Sequence, residues 1–127
     1  MIARVWRGWS TLQDSVAYRR HFAESVSPAL EVRPGYRGAF LLLREAAGDS
    51  RTEFLVLTLW DSMDAVRAFA GPDPERAVVD EAARAALVAF EETVRHYAVV
   101  SEPGSPAGGA PRPRRSPREP PGSGENE

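Results

Sequence analysis

Two histidines, His21 and His96, are the side chains best suited to move a proton near neutral pH, because the ordinary pKa of imidazole lies close to neutrality. His96 belongs to the run TVRHYAVV, a predicted strand that should pair antiparallel with the first strand. If its side chain points inward, it meets Arg4 or Trp6 and acts as a base; a structural, hydrogen-bonded histidine is the alternative. His21 lies off the apolar stripe of a predicted helix, which favours a surface or helix-edge role.

Two arginines, Arg4 and Arg7, lie on opposite faces of the first predicted strand. At least one must therefore be near a buried surface, where an unpaired guanidinium is costly. Two roles remain open: a salt bridge to a glutamate such as Glu53 or Glu91, or a cation that stabilises an enolate or phenolate. With His96, both arginines form the candidate catalytic set.

The aromatic residues provide enough surface to line a flat pocket: Trp6, Trp9, Tyr36, Trp60, Phe69 and Tyr97. Aromatic residues at alternating strand positions also serve simply as core, and this alternative stays open. The candidate ligand-binding residues are Trp6, Trp60, Phe69 and Tyr97, together with His21. Trp60, at the end of a strand and beside a helix start, is predicted at the mouth of a cavity.

Several classes of site have no support in the sequence. The absence of cysteine excludes disulfides, thiolate metal sites and cysteine nucleophiles. There is no metal-spaced set of His, Asp and Glu, no nucleophile elbow and no Gly-rich phosphate loop, so we expect no metal and no cofactor. The 16 basic and 18 acidic residues nearly balance, which argues against nucleic-acid binding.

Neither a signal peptide nor a membrane span is predicted. The opening MIARVWRGWS is interrupted by arginines, and the longest apolar stretches, such as residues 54–60, fall far short of the roughly 18 residues that a span needs. We therefore expect a cytoplasmic protein with no membrane partner.

The elements that position these residues follow from hydrophobic periodicity. Residues 2–9 alternate with period two and predict a strand. A helix follows, with Ser10 or Thr11 as its N-cap and an apolar stripe at helical spacing: Leu12, Val16, Phe22, Val26 and Leu30. Pro34 and Gly35 lie beyond its end.

The runs YRGAFLLLRE and TEFLVLTLW predict a hairpin that turns around Gly48 and Asp49. A short helix, DSMDAVRAFA, begins at a cap on Asp61 or Ser62 and ends at Gly71-Pro72. A second helix is predicted from about residue 74 to 92, before the last strand.

The order β-α-β-β-α-β predicts an α+β, ferredoxin-like fold: a four-stranded antiparallel sheet, the first and third strands central, with helices on one face. Both faces of this sheet are largely apolar, so the uncovered face should pack on a second copy. We therefore predict a homodimer whose sheets face each other.

The predicted domain covers residues 1–100, and residues 101–127 form a predicted disordered tail. The tail is rich in Pro, Gly, Ser, Arg and Glu and has no large apolar side chain to offset the entropy of ordering. Its four arginines could contact an anionic partner, but composition favours a solvated segment.

The opening ARVWRG, the segment PGYRGAFLLLRE, the run WDSMDAVRAFAG with its continuation DPERAVV, and the closing HYAVV resemble the antibiotic-biosynthesis monooxygenase domain family of the dimeric α+β barrel superfamily. The resemblance covers residues 1–100. It implies a ferredoxin-like protomer, a barrel-like dimer and a hydrophobic cavity between sheet and helices. Some members oxidise aromatic polyketides with O2 and no metal, flavin or haem, because a deprotonated phenol or enol can itself pass an electron to oxygen.

The haem-degrading branch of this superfamily uses an Asn, a Trp and an axial His, and the matching positions here are Arg7, Phe69 and Val79. Without an imidazole at Val79 the resemblance implies no proximal iron ligand, so haem cleavage is disfavoured. The sequence thus predicts a cofactor-independent monooxygenase-like enzyme acting on a hydrophobic aromatic metabolite. The alternatives are a non-catalytic dimeric small-molecule-binding protein, or a cyclase or isomerase of the same superfamily.

Overall fold

The computed structural model describes residues 1–45, 48 and 50–103. Its strands are β1 (Ile2–Thr11), β2 (Tyr36–Glu45), β3 (Arg51–Trp60), β4 (Ala89–Phe90) and β5 (Arg95–Ala98). Its helices are α1 (Ser15–His21), α2 (Ser27–Glu31), α3 (Met63–Ala70) and α4 (Glu81–Ala86), and a π-helical turn, Phe22–Val26, joins α1 to α2. Most of the predicted tail, from residue 104 onward, and Asp49 of the predicted turn lie outside the described residues.

The strands form one antiparallel sheet in the order β2-β3-β1, with β4 and β5 both pairing to the outer edge of β1. The register places Arg4 opposite Thr58 on one side and opposite His96 on the other. The predicted ferredoxin-like α+β fold with β1 and β3 in the centre is confirmed. The last predicted strand is confirmed too, although it is shorter and follows the separate strand β4.

The helices cover the face of the sheet that carries Trp6, Phe54 and Trp60. Tyr18 packs on Phe54 with ring centroids 4.7 Å apart, and α4 adds Ala83 to the same cluster. At the other end of β3, Trp60 packs with Leu30 and Val66. This face therefore holds the hydrophobic core.

The first helix begins later than the sequence predicts. β1 continues to Thr11, and α1 begins at Ser15, so the predicted N-cap at Ser10 or Thr11 is wrong. The Thr11 hydroxyl instead accepts a hydrogen bond from the Asp14 amide at 2.9 Å and forms the turn between the two elements. Leu12 and Val16 are exposed as a result.

A π-helical turn sits directly before Pro28, where the amide of Ser27 donates to the carbonyl of Phe22. Proline has no amide hydrogen and clashes with the carbonyl four residues earlier, so an ordinary α-helix cannot continue through this position undisturbed. The extra residue in the turn also matters for side-chain direction. In an α-helix, side chains four residues apart point in directions that differ by about 40°. The wider π-helical turn reduces this difference.

The helix predicted over residues 74–92 is wrong for most of its length. Only α4 is helical there, and its N-cap is Asp80, whose carboxylate accepts from the Ala83 amide at 2.8 Å. Residues before it pair with the chain ahead of β5: the Ala77 amide donates to the Glu92 carbonyl, and the Val94 amide to that of Glu75. The β-branched pair Val78-Val79 and the capping aspartate explain why the helix starts so late.

Predicted capping of α3 is confirmed. Ser62 is its N-cap and accepts from the Ala65 amide at 3.2 Å, and Gly71 ends the helix with a φ of +95°. The preceding loop contains Gly35, also at positive φ, which lies against Ala65. The close approach lets α3 pack tightly against the start of β2.

The face of the sheet away from the helices is apolar along all three long strands. By alternation from the register it carries Val5, Phe40, Leu42, Leu55 and Leu57, and Phe40 remains 58% exposed. No described element of the chain covers these side chains.

Candidate functional site

A cavity of about 90 Å³ lies between the sheet and the helices. Its floor comes from β1 and β3, its roof from the bent helix of residues 15–31, and one wall from the irregular segment before α4. The lining is mainly apolar, with four polar or charged side chains: Arg4, Tyr18, Thr58 and Asp80. Such a cavity, with a few polar groups in an apolar lining, has the character of a small-molecule site.

Arg4 supplies the cavity with a buried positive charge, since the residue is only 6% exposed. One guanidinium nitrogen donates to the Pro74 carbonyl at 2.5 Å, and the other donates to the Arg76 carbonyl at 3.0 Å. Within the described ranges no carboxylate forms an ion pair with it. Burial lowers the pKa of Arg4 to about 10, so the group is still cationic at neutral pH.

The guanidinium of Arg4 also has unused hydrogen-bonding capacity. Of its five N–H groups, two on Nη1 are directed at Pro74 and His96 and one on Nη2 at Arg76. The Nε–H group and one Nη2–H group have no partner among the described residues. An uncompensated buried cation with free donors favours an anionic ligand.

His96 contacts Arg4, as the sequence analysis anticipated, with 3.0 Å between Nε2 and Nη1. Because the guanidinium can only donate, Nε2 accepts the hydrogen bond and the imidazole is neutral. Burial and then the charge of Arg4 lower the pKa of His96, while Glu75 opposes the shift. His96 does not itself line the cavity, so it contacts the site only through Arg4.

Tyr18 and Thr58 supply hydroxyl groups to the cavity. Tyr18 is 3% exposed, and its hydroxyl has no hydrogen-bond partner in the part of the chain that the structure describes. Burial, with a smaller contribution from Asp80, raises its pKa, so it stays protonated and can donate. Thr58 accepts a hydrogen bond from Trp60 Nε1 at 2.8 Å, which leaves its own hydrogen to donate.

Arg7 lies on the other face of β1 and does not line the cavity. It forms a salt bridge to Glu91 at 3.0 Å and a longer one of 3.8 Å to Glu53, the two glutamates that the sequence analysis named. The hydrogen bond and charge of Glu91 raise the pKa of Arg7. Arg4 therefore lines the cavity, whereas Arg7 lies outside it and is paired with two glutamates.

The predicted ligand-binding aromatics divide into two groups. Trp6 and Phe69 line the cavity, and the guanidinium of Arg4 lies 5.7 Å from the Phe69 ring centroid. Trp60 and Tyr97 do not line it. Trp60 is fully buried and stacks behind Phe69, so its predicted place at the cavity mouth is wrong, and Tyr97 is exposed on β5.

His21 also lies outside the cavity lining, which agrees with a helix-edge role. Its Nε2 atom lies 3.0 Å from a carboxylate oxygen of Asp80, the residue that caps α4 and lines the cavity. This contact ties α1 to the wall segment.

The sequence analysis missed Tyr18, Thr58 and Asp80. Thr58 could have been found from the predicted pairing of β1 with β3, because it faces the same side as Arg4. Tyr18 and Asp80 depend on how the bent helix and the irregular segment meet, which no periodic pattern reports.

No group of three or more His, Cys, Asp or Glu side chains in the described ranges could hold a metal ion. No helix among them is long and apolar enough to cross a membrane.

Comparison with solved structures identifies the class of fold. The haem degrader MhuD of Mycobacterium tuberculosis, solved with two haems in its active site, aligns over 82% of this chain and all of its own at 23% identity and a TM-score of 0.55. A protein assigned as an antibiotic-biosynthesis monooxygenase from Bacillus cereus aligns over 83% of this chain and 96% of its own at 15% identity and a TM-score of 0.58. Another, from Deinococcus radiodurans, aligns over 83% of this chain and 98% of its own at 12% identity and a TM-score of 0.52.

At these identities the likeness shows the fold, and the fold is that of the antibiotic-biosynthesis monooxygenase-like α+β proteins. No family model matches the chain. No curated protein matches it either.

The described residues do not fit a haem in the cavity. Val79, which the sequence resemblance matches to the axial histidine of the haem-degrading branch, is an apolar lining residue. Among the lining residues only Tyr18 is of a type that ligates haem iron, and its raised pKa opposes the tyrosinate form. A volume of about 90 Å³ is also far below the size of a porphyrin.

Proposed function

We propose that this protein binds a small acidic aromatic or enolic metabolite in the cavity as its anion, and promotes oxidation of that anion by O2 without a metal or flavin. The observation that carries the proposal is the buried guanidinium of Arg4, which faces an apolar cavity with no carboxylate partner in the described chain. A fixed cation in a water-poor site favours the ionised form of a phenol or enol.

The chemistry requires little of the protein. The ligand anion is the reductant and O2 the oxidant: a ring CH2 becomes C=O, one oxygen atom enters the product, and the other leaves as water. Arg4 would stabilise the anion, and Trp6 and Phe69 would hold the ring. Neutral His96 keeps Arg4 in place through Nε2, so in this proposal it is a positioning residue.

Access to the cavity requires movement of its wall. A volume of about 90 Å³ is below the roughly 150 Å³ that admits benzene in an engineered apolar cavity. The wall that would have to move is the irregular segment before α4. It is held by the side chains of His21 and Arg4 and by backbone hydrogen bonds to the chain before β5. An anion can accept from the Nε–H and Nη2–H groups of Arg4 that are free within the described chain, while the carbonyls of Pro74 and Arg76 keep their hydrogen bonds.

The first test measures oxygen uptake with a panel of polyphenols and anthrone-like compounds, together with binding followed by tryptophan fluorescence. We expect Arg4→Gln to weaken binding of the anionic compounds by about tenfold or more and to reduce turnover, because it removes a buried charge-assisted contact. The matched control is Arg67→Gln, which removes an exposed arginine on α3 that is paired with Asp64. Equal activity of wild type, Arg4→Gln and Arg67→Gln would refute the proposal.

A second candidate function is a non-catalytic binding protein. Two observations favour it: the small cavity, and the engagement of the His96 lone pair by Arg4, which leaves no free imidazole base at the site. Arg4-dependent binding with no oxygen consumption across the panel would support this function over the first.

A further inference from the structure

The hydroxyl of Tyr18 is a buried polar group of the cavity to which the proposed function gives no role. It is 3% exposed, and no described protein atom forms a hydrogen bond with it. Leaving a buried hydroxyl unpaired is costly, and native proteins rarely do so without a water or ligand partner. Burial and the charge of Asp80 raise the pKa of Tyr18, so the hydroxyl keeps its hydrogen and can donate it to an acceptor.

Tyr18 and Arg4 contact β3 at different positions along the strand. Arg4 is paired with Thr58 across the sheet, whereas the ring of Tyr18 packs on Phe54. Thr58 and Phe54 are four residues apart on the same strand, a separation of about 13 Å along β3. Between them the floor is apolar, formed by Trp6 and Val56.

We propose that Tyr18 is a specificity-determining residue that donates a hydrogen bond to a neutral acceptor of the ligand, such as a ketone or quinone oxygen. This inference rests on the proposed function, because the acidic group of the same ligand lies against Arg4 and Thr58. The substrate class is then narrowed from any acidic aromatic compound to an aromatic or enolic acid with a carbonyl oxygen across the ring from its acidic group.

The test uses two matched probes, 4-acetylbenzoate and 4-isopropylbenzoate. Both carry a carboxylate that stands for the ionised acidic group, and both have a branched substituent of similar shape at the far end. Only the acetyl group offers a carbonyl oxygen to Tyr18. Binding to the full chain is measured by calorimetry and by tryptophan fluorescence.

We expect Tyr18→Phe, which keeps the ring on Phe54, to weaken 4-acetylbenzoate binding about fivefold and to change 4-isopropylbenzoate binding less than twofold. Arg4→Gln should weaken both probes about tenfold or more. The control variant Tyr36→Phe removes the hydroxyl of a tyrosine that does not line the cavity, and it should leave both probes unaffected.

Other outcomes would contradict either the role of Tyr18 or the proposed function. If Tyr18→Phe weakens the binding of both probes equally, or of neither, Tyr18 does not donate a hydrogen bond to the carbonyl oxygen. The proposal of an anion site that depends on Arg4 is unaffected by that result. If Arg4→Gln leaves both affinities unchanged, or if wild type binds neither probe at millimolar concentration, the proposed function itself fails.

Discussion

The contact between Arg4 and His96 shows how one side chain fixes the protonation state of another. The imidazole accepts from a group that is always charged at neutral pH, so protonation of His96 would place two cations in contact in a half-buried setting. The pair is stable only while His96 is neutral. Glu75 reduces this penalty but does not remove it.

A pH dependence of stability follows from this pair. The folded state lowers the pKa of His96 below the 6.5 of an ordinary imidazole, so the unfolded chain takes up this proton first as the pH falls. The contribution of neutral His96 to the free energy of unfolding is therefore full above about pH 6.5 and is lost progressively as the pH falls below that value. We expect His96→Gln to make the free energy of unfolding less dependent on pH between 7 and 5.5, by less than about 1 kcal/mol because solvent screens a half-buried group.

Urea unfolding at several pH values measures this effect. The matched control is His21→Gln, which removes the other imidazole and leaves the Arg4 contact intact. If His21→Gln makes the free energy of unfolding less dependent on pH and His96→Gln does not, the pH dependence does not come from the contact of His96 with Arg4.

Residue pairs that depend on sheet geometry could be predicted from the sequence. The contact of His96 with Arg4 follows from antiparallel pairing and side-chain alternation, and the pairing of Arg7 with the two glutamates follows from the cost of an unpaired guanidinium. The prediction for Trp60 was wrong because side-chain alternation shows which face of the sheet Trp60 lies on, but not which residues cover that face. The covering residues are Leu30 of α2 and Val66 of α3, and periodicity does not show where these two helices pack.

At the scale of elements, the strands and the capped helix α3 could be predicted, whereas the chain between α3 and β5 could not. That stretch is rich in alanine and charged residues, which favours helix by propensity alone. Its backbone instead pairs with the chain before β5, and Asp80 starts a helix only at Glu81. Tertiary hydrogen bonds therefore override local propensity here, and this segment becomes the cavity wall.

The loop between α2 and β2 makes a testable packing contact with α3. Gly35 has a φ of +82°, and a Cβ atom there would lie 2.5 Å from the Cβ of Ala65. Gly35→Ala should lower the free energy of unfolding by about 2–4 kcal/mol, since it combines a strained backbone with a steric clash.

Gly48 offers a matched control for this substitution. It has the same φ of +82°, but no atom of the described residues lies within 4 Å of the position of its missing Cβ. Gly48→Ala should therefore cost only the backbone strain, about 1–2 kcal/mol, in the same denaturation experiment. Equal losses for the two variants would contradict the packing argument.

At the scale of the whole molecule, the uncovered sheet face is the main unexplained surface. Its apolar side chains, exposed on β2 and half-buried on β1 and β3, are continuous across three strands, and patches of this kind mark interaction surfaces. A second copy is the partner that the sequence analysis predicts, with the two faces packed together. The salt bridges of Arg7 lie on this same face.

Sedimentation tests this prediction directly. We expect wild type to be a dimer at micromolar concentration, and Leu57→Arg, which puts a charge at the centre of the face, to be a folded monomer. Val32→Arg is the control, because Val32 is exposed after α2 and lies off the sheet. A wild-type monomer, or a Leu57→Arg dimer, would contradict a homodimer built on this face.

The π-helical turn at Phe22–Val26 has a consequence for comparing this chain with others of the same fold. Loss of a single residue there would restore regular winding and rotate everything downstream by about 100°. Leu30 would then no longer pack on Trp60, and different side chains of this helix would line the cavity. A one-residue gap in this helix should therefore mark a change of ligand more reliably than any point substitution in the sheet beneath it.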